Sequence, residues 1–163
     1  MKRALVVLLL LVVTETGLRA QVTTFILVRH GEKVADGSKD PELSETGKTR
    51  ALALSHLLKE QKIDAIYSTS YKRTQGTIAP LAMSKALTVL PYDAMKGEAI
   101  DQIAAKYPGG TIVICGHSNT TPWTANYLLG KEQFKDFDDG DYDNVLIIDV
   151  IEKGKAKVTW LTY

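Results

Sequence analysis

The chain has 163 residues, 45% of them hydrophobic and 24% charged, with a formal net charge of +1 and a pI near 7.8. This is the composition of an ordinary globular domain and excludes a disordered chain or a membrane channel, so one core must serve the whole function. The near-neutral balance supplies no long-range field for nucleic acid or an anionic membrane surface, and any anion site has to be built locally.

Residues 1–20 differ from the rest. Lys2 and Arg3 precede an unbroken apolar run from Ala4 to Val13, and a more polar stretch ends at Ala20. That is the layout of a signal peptide. The apolar run covers ten residues, whereas a helix spanning a hydrocarbon core of roughly 30 Å needs about 20. The expectation is export to the periplasm or the medium, no stable membrane insertion after signal removal, and a mature domain over residues 21–163. Glu15, Leu18 and Arg19 depart from the usual small-residue cleavage region. Cys115 is the sole cysteine, so no internal disulfide can form and stability must come from packing.

From Gln21 onward, short β-branched runs alternate with amphipathic stretches, which predicts an α/β sandwich with a mostly parallel sheet. A strand over 22–28 delivers Arg29-His30-Gly31-Glu32. A loop follows over 33–43, rich in Asp, Gly, Ser and Pro. Ser44 caps a helix expected to reach about Gln61, with Leu52, Leu54, Leu57 and Leu58 near helical spacing. The second strand, 63–67, leads through Ser68-Thr69-Ser70 into a helix carrying Arg73, Ile78, Leu81 and Met83. A third strand covers 86–92 and a helix 97–107. The buried strand 111–115 delivers Gly116-His117-Ser118-Asn119 to a helix ending near Leu129. A polar surface loop over 131–143 precedes two closing strands, 145–151 and 156–161, joined through Lys153-Gly154.

Ligands of open α/β sheets bind outside the carboxyl ends of the strands. Those ends hold Arg29 and His30, Arg73 within the first turns of a helix, and His117. Two arginines and two histidines converging at one sheet edge make an anion site suited to a phosphoryl group. His56 lacks any partner motif and reads as structural or surface. Cys115, at the end of an apolar strand, reads as a small buried hydrophobe. Trp123 and Tyr127, four apart on a helix, read as packing, with Asn119 and Trp123 near enough to the strand end for the pocket rim.

Arg29-His30-Gly31-Glu32 after an apolar strand resembles the signature of the histidine phosphatase superfamily, the group that includes phosphoglycerate mutases and acid phosphatases. Leu43-Ser44-Glu45-Thr46-Gly47, Tyr67-Ser68-Thr69-Ser70 with Arg73-Thr74, and Gly116-His117-Ser118-Asn119 are similar to three further family segments, and all occur in the family's order. The resemblance covers about residues 25–130. It implies a phosphoglycerate mutase-like, three-layer α/β/α sandwich and a phosphomonoester hydrolase acting on a small phosphorylated substrate through a phosphohistidine on His30.

On that resemblance His30 attacks phosphorus, its other ring nitrogen donates to a nearby backbone carbonyl, and Gly31 lets the backbone approach closely. Arg29, Arg73 and His117 hold the non-bridging oxygens. Gly31, Glu32, Ser118 and Asn119 complete the phosphate and substrate site. The general acid is expected to be Asp93, at a strand end, with Glu98 in the first turn of a helix as second choice. The scheme needs neither metal nor cofactor, and the cations around His30 disfavour its protonation. Two alternatives stay open: a phosphoglycerate mutase-type phosphotransferase, and a binder of phosphorylated ligands without catalysis. Twelve residues between Gly31 and Ser44 and forty-three between Arg73 and His117 leave little chain for the enclosing lid that a mutase needs. The substrate and the oligomeric state are not written in the sequence.

Overall fold

The computed structural model describes residues 21–163, so the expected signal peptide lies outside the described residues. Ten elements follow one another: β1 (Thr23–Arg29), α1 (Glu45–Leu57), β2 (Ala65–Ser68), α2 (Lys72–Lys85), β3 (Val89–Pro91), α3 (Gly97–Lys106), β4 (Thr111–Gly116), α4 (Thr120–Leu129), β5 (Asn144–Glu152) and β6 (Lys155–Thr162). They form a six-stranded sheet in the order β3-β2-β4-β1-β5-β6. The pairs β3–β2, β2–β4 and β4–β1 are parallel. β5 runs antiparallel to both β1 and β6 and is the one strand that departs from a parallel sheet.

Central strands read as continuous apolar runs because both of their faces are covered. On one face Ile26, Val28, Ile66 and Val113 pack with Leu54 and Leu58 of the α1 segment and with Ile78 and Leu81 of α2. On the other, Phe25, Leu27, Ile112 and Ile114 pack with Ile100 and Ile103 of α3 and with Ala125 and Leu128 of α4. The alternation along β1 and β4 therefore feeds two cores, giving the three-layer α/β/α sandwich.

Boundaries shift where local chemistry intervenes. Ser44 accepts from the Gly47 N–H at 3.1 Å and starts α1 as expected, but the helix ends at Leu57, and Leu52 and Leu57 face solvent. Met83 of α2 is likewise exposed. The third strand begins at Val89 rather than Ala86, because Ala86 takes a left-handed conformation (φ 53°) to close α2, its N–H directed at the carbonyls of Ala82 and Met83. The final hairpin turns at Gly154, where φ is 83°.

Parallel pairing of β1 with β4 sets Arg29 opposite Gly116, so the residues just beyond, His30 and His117, emerge side by side. The His30 N–H bonds the Gly116 carbonyl at 3.0 Å and extends that pairing past the strand end. β2 flanks β4 on its other side, bringing Thr69 and the start of α2 to the same edge.

Candidate active site

A cavity of about 640 Å³ opens at this edge, with Arg29, His30, Thr69, Arg73 and His117 in its wall. His30 is 5% exposed. Its Nδ1 lies 2.8 Å from the Gly31 carbonyl oxygen. A carbonyl only accepts, so Nδ1 carries the proton and Nε2 keeps its lone pair. Arg73 Nε donates to that Nε2 at 3.3 Å. Burial is the main force holding the His30 pKa down, to about 4, reinforced by His117, Arg73 and Arg29 and opposed by the Gly31 bond. A neutral, singly oriented imidazole results.

His117 stands edge-on to His30, with ring centroids 5.3 Å apart. Its Nε2 is 3.0 Å from Thr69 Oγ1, and its Nδ1 is 3.5 Å from Arg73 Nη2. Burial first, then Arg73 and Arg29, lower its pKa to about 4. Thr120 Oγ1 accepts from the His117 N–H at 2.8 Å, and Gly116 must lack a side chain because a Cβ there would stand 2.6 Å from that same oxygen.

The two arginines differ in their partners. Arg29, 4% exposed, donates through Nη1 to the carbonyls of Asp138 (2.6 Å) and Asp141 (2.8 Å) and through Nη2 to that of Asp139 (3.2 Å). Its guanidinium carbon lies 4.1 Å from the centre of the Tyr142 ring, and its buried Nε has no partner. Desolvation lowers its pKa, while Tyr142 and the neighbouring aspartates oppose the fall. The loop expected over 131–143 is thus anchored, not free. Phe137 is buried and its N–H bonds the Ser118 carbonyl at 2.9 Å, while Asp139 and Tyr142 enter the cavity wall.

Of the other residues predicted from sequence, Ser118 and Asn119 line the cavity. Gly31 and Glu32 do not. The Gly31 N–H bonds Thr77 Oγ1 at 2.9 Å, and a Cβ on Gly31 would press on the Gly47 backbone. Glu32 turns toward α1 and forms a fork with Arg50, at 2.7 Å for the shortest bond, which holds its carboxyl below the usual range. Asp93 pairs with Lys96 and lines an adjoining cleft with Asp40 and Lys39. Glu98 lies exposed on α3 and lines neither cavity. The carboxylate that the fold does bring to the His30 cavity is Asp139, together with Lys33, Tyr71 and Tyr142. Lys33, Asp139 and Tyr142 come from the loops expected over 33–43 and 131–143, whose destination local sequence does not encode, and Tyr71 from the residue before α2. His56 is exposed and Cys115 fully buried, its thiol pKa pushed upward. Trp123 stacks on Tyr127 at 5.4 Å and borders a different cavity. Among the described residues, no group of three His, Cys, Asp or Glu side chains is disposed to hold a metal ion, and no helix is long and apolar enough to cross a membrane.

A strand-end histidine flanked by two arginines and a second histidine forms a pocket with the cationic donors to hold an anion, in an α/β sandwich. The model of the histidine phosphatase superfamily (branch 1) matches residues 25–97, a little under half of the chain. The chain is 35% identical over 97 residues to phosphoserine phosphatase 1 of Hydrogenobacter thermophilus, covering 51% of this chain and 46% of the relative. It is 39% identical over 125 residues to a 2,3-bisphosphoglycerate-dependent phosphoglycerate mutase of Bartonella henselae, covering 65% and 57%. The chain therefore spans about half the length of these curated relatives. Its fold is similar to that of the protein histidine phosphatase SixA complexed with tungstate, with a TM-score of 0.71 at 14% identity, covering 85% of this chain and 96% of that one.

Proposed function

We propose that the protein is a metal-independent phosphomonoester hydrolase that passes the phosphoryl group of a small substrate through His30. The observation that carries this reading is the commitment of the two His30 nitrogens: Nδ1–H to the Gly31 carbonyl, Nε2 bare and beside Arg73. In the first step Nε2 forms a bond to phosphorus as the bond to the leaving oxygen breaks. Arg73 and the unpartnered Nε of Arg29 supply hydrogen bonds to the phosphoryl oxygens, with the His117 ring packed beside them on the cavity wall. The departing oxygen needs a proton, and Asp139 is the carboxyl group on the cavity wall that can give it. Water then attacks phosphorus, the N–P bond breaks, inorganic phosphate forms and the proton returns to Asp139.

An open rim favours water over a retained intermediate, and so hydrolysis over phosphotransfer: Tyr71 on the cavity wall is 44% exposed. Export remains part of the proposal and rests on Lys2, Arg3 and the apolar run to Val13. The test is turnover of an aryl phosphate with a chelator present, native against His30→Ala. The expected result is release of phosphate that falls by about a thousandfold or more in the variant, with an acid-labile phosphoenzyme trapped from native protein alone. Phosphate binding without turnover in the native protein would favour a recognition role instead.

A further inference from the structure

The geometry points to Tyr71 as a positioning residue for the phosphate site, its ring holding both the Arg73 guanidinium and the His117 imidazole in place; the inference rests on the phosphohydrolase reading. Tyr71 is the N-cap residue of α2, and its carbonyl accepts from the Gln75 N–H at 3.0 Å and from Thr74 Oγ1 at 2.8 Å, so its backbone is fixed. The Arg73 guanidinium carbon lies 4.3 Å from the centre of the Tyr71 ring. A cation at that distance is attracted by the negative face of an aromatic ring. The His117 ring meets the same tyrosine at 5.0 Å and 90°, an edge-to-face contact. One side chain therefore touches two of the groups that face the phosphoryl oxygens.

Other partners leave this task to Tyr71. Arg73 has no carbonyl cradle like that of Arg29. Its anionic neighbour is Asp40, 3.7 Å from Nη1, and that carboxylate already accepts from the Lys72 N–H at 3.0 Å. Thr69 holds one nitrogen of His117 at 3.0 Å, while the contact from Arg73 to the other is long at 3.5 Å and leaves the ring room to tilt. The tyrosine closes the remaining freedom of both. Being 44% exposed, it adds little to either core, and a purely structural role would be small. It also walls both the His30 cavity and the adjoining cleft.

Inorganic phosphate titrated onto the full chain, followed through the ring resonances of His30 and His117, tests the inference in native protein, Tyr71→Phe and Tyr71→Leu. Phenylalanine keeps the ring face, so affinity should stay within about twofold; leucine removes it, and affinity should fall about fivefold to tenfold. The His117 resonances should move in the leucine variant before phosphate is added, and kcat on an aryl phosphate should fall in the same proportion with rescue by phenylalanine. Equal phosphate affinity in native and leucine proteins overturns the inference, as does a phenylalanine variant as impaired as leucine. If native protein binds phosphate without turnover, the hydrolase reading fails while the affinity comparison still decides Tyr71. If it binds none, both fall.

Discussion

The two sides of the cavity are built on opposite plans. On one, Arg29 is sunk among three carbonyls of the 138–141 turn and stacked on Tyr142. On the other, Arg73 has ring nitrogens, a tyrosine face and a distant carboxylate, all compatible with a phosphoryl group beside it. Both are arginines at strand or helix ends, and the sequence motif gives them equal standing. Their neighbours do not: Arg29 commits both terminal nitrogens to the loop and keeps only Nε unpartnered, whereas Arg73 meets only side chains that themselves line the cavity or its rim.

That contrast should appear first in rate. Arg73→Ala should lower kcat by roughly 10² to 10³, the usual cost of losing a transition-state donor, with an unchanged melting temperature; a variant that melts early would erase the distinction. Arg29→Ala should be slow as well, but it also removes the charged hydrogen bonds that tie down 138–141, costing about 1–3 kcal/mol, which lowers the melting temperature by roughly 3–10 °C. Calorimetry on the two variants separates the plans.

The same comparison predicts the order of effects on the leaving group. Asp139 stands on the Arg29 side, and Asp139→Asn should slow alkyl phosphates by about 10² or more while sparing activated aryl phosphates, the pattern of a lost general acid. Asp93→Asn should leave both rates within about twofold, because loss of an exposed ion pair is worth little. Opposite results would restore Asp93 as the proton donor.

Acid provides the finest measure. Both imidazoles are held near pKa 4 in the folded protein, against about 6.5 in an unfolded chain. The unfolded state therefore binds more protons between these values, so stability is fully present above about pH 6.5 and is lost as pH falls toward 4. If neutral His30 is the nucleophile, the acid limb of kcat/KM should fall near pH 4. For both rings Arg73 depresses the pKa more than Arg29 does, so replacing Arg73 by leucine should raise the limb further than replacing Arg29. Equal shifts would deny the asymmetry.

The sequence revealed the frame and the strand-end residues for one reason: both are local. Apolar runs become strands, strand ends become the site, and parallel register then brings His30 and His117 together without further information. What stayed hidden depends on where long loops travel. Asp93 and Asp139 look equally plausible by type, yet Asp93 turns toward Lys96 and Asp139 is brought to the cavity by contacts with Arg29, 110 residues earlier. Glu32 looked like part of the phosphate site because it adjoins His30, but Arg50, eighteen residues on, holds it. Tyr71 carries no such sign, because an aromatic residue before a helix has no chemical signature until the rings around it are known.

The close approach of Gly31 and Gly47 has a further meaning. A Cβ at Gly47 would lie 2.1 Å from the Glu32 carbonyl oxygen, and one at Gly31 would lie 3.0 Å from the Gly47 carbonyl oxygen. The two glycines interlock the tail of the histidine segment with the head of the next helix. Part of what makes these motifs recognisable is thus carpentry: half of the signature is a joint, and only the other half is a tool. A protein could keep the joint after losing the chemistry, so the glycines speak for the fold, and only His30 and Arg73 can be tested for activity.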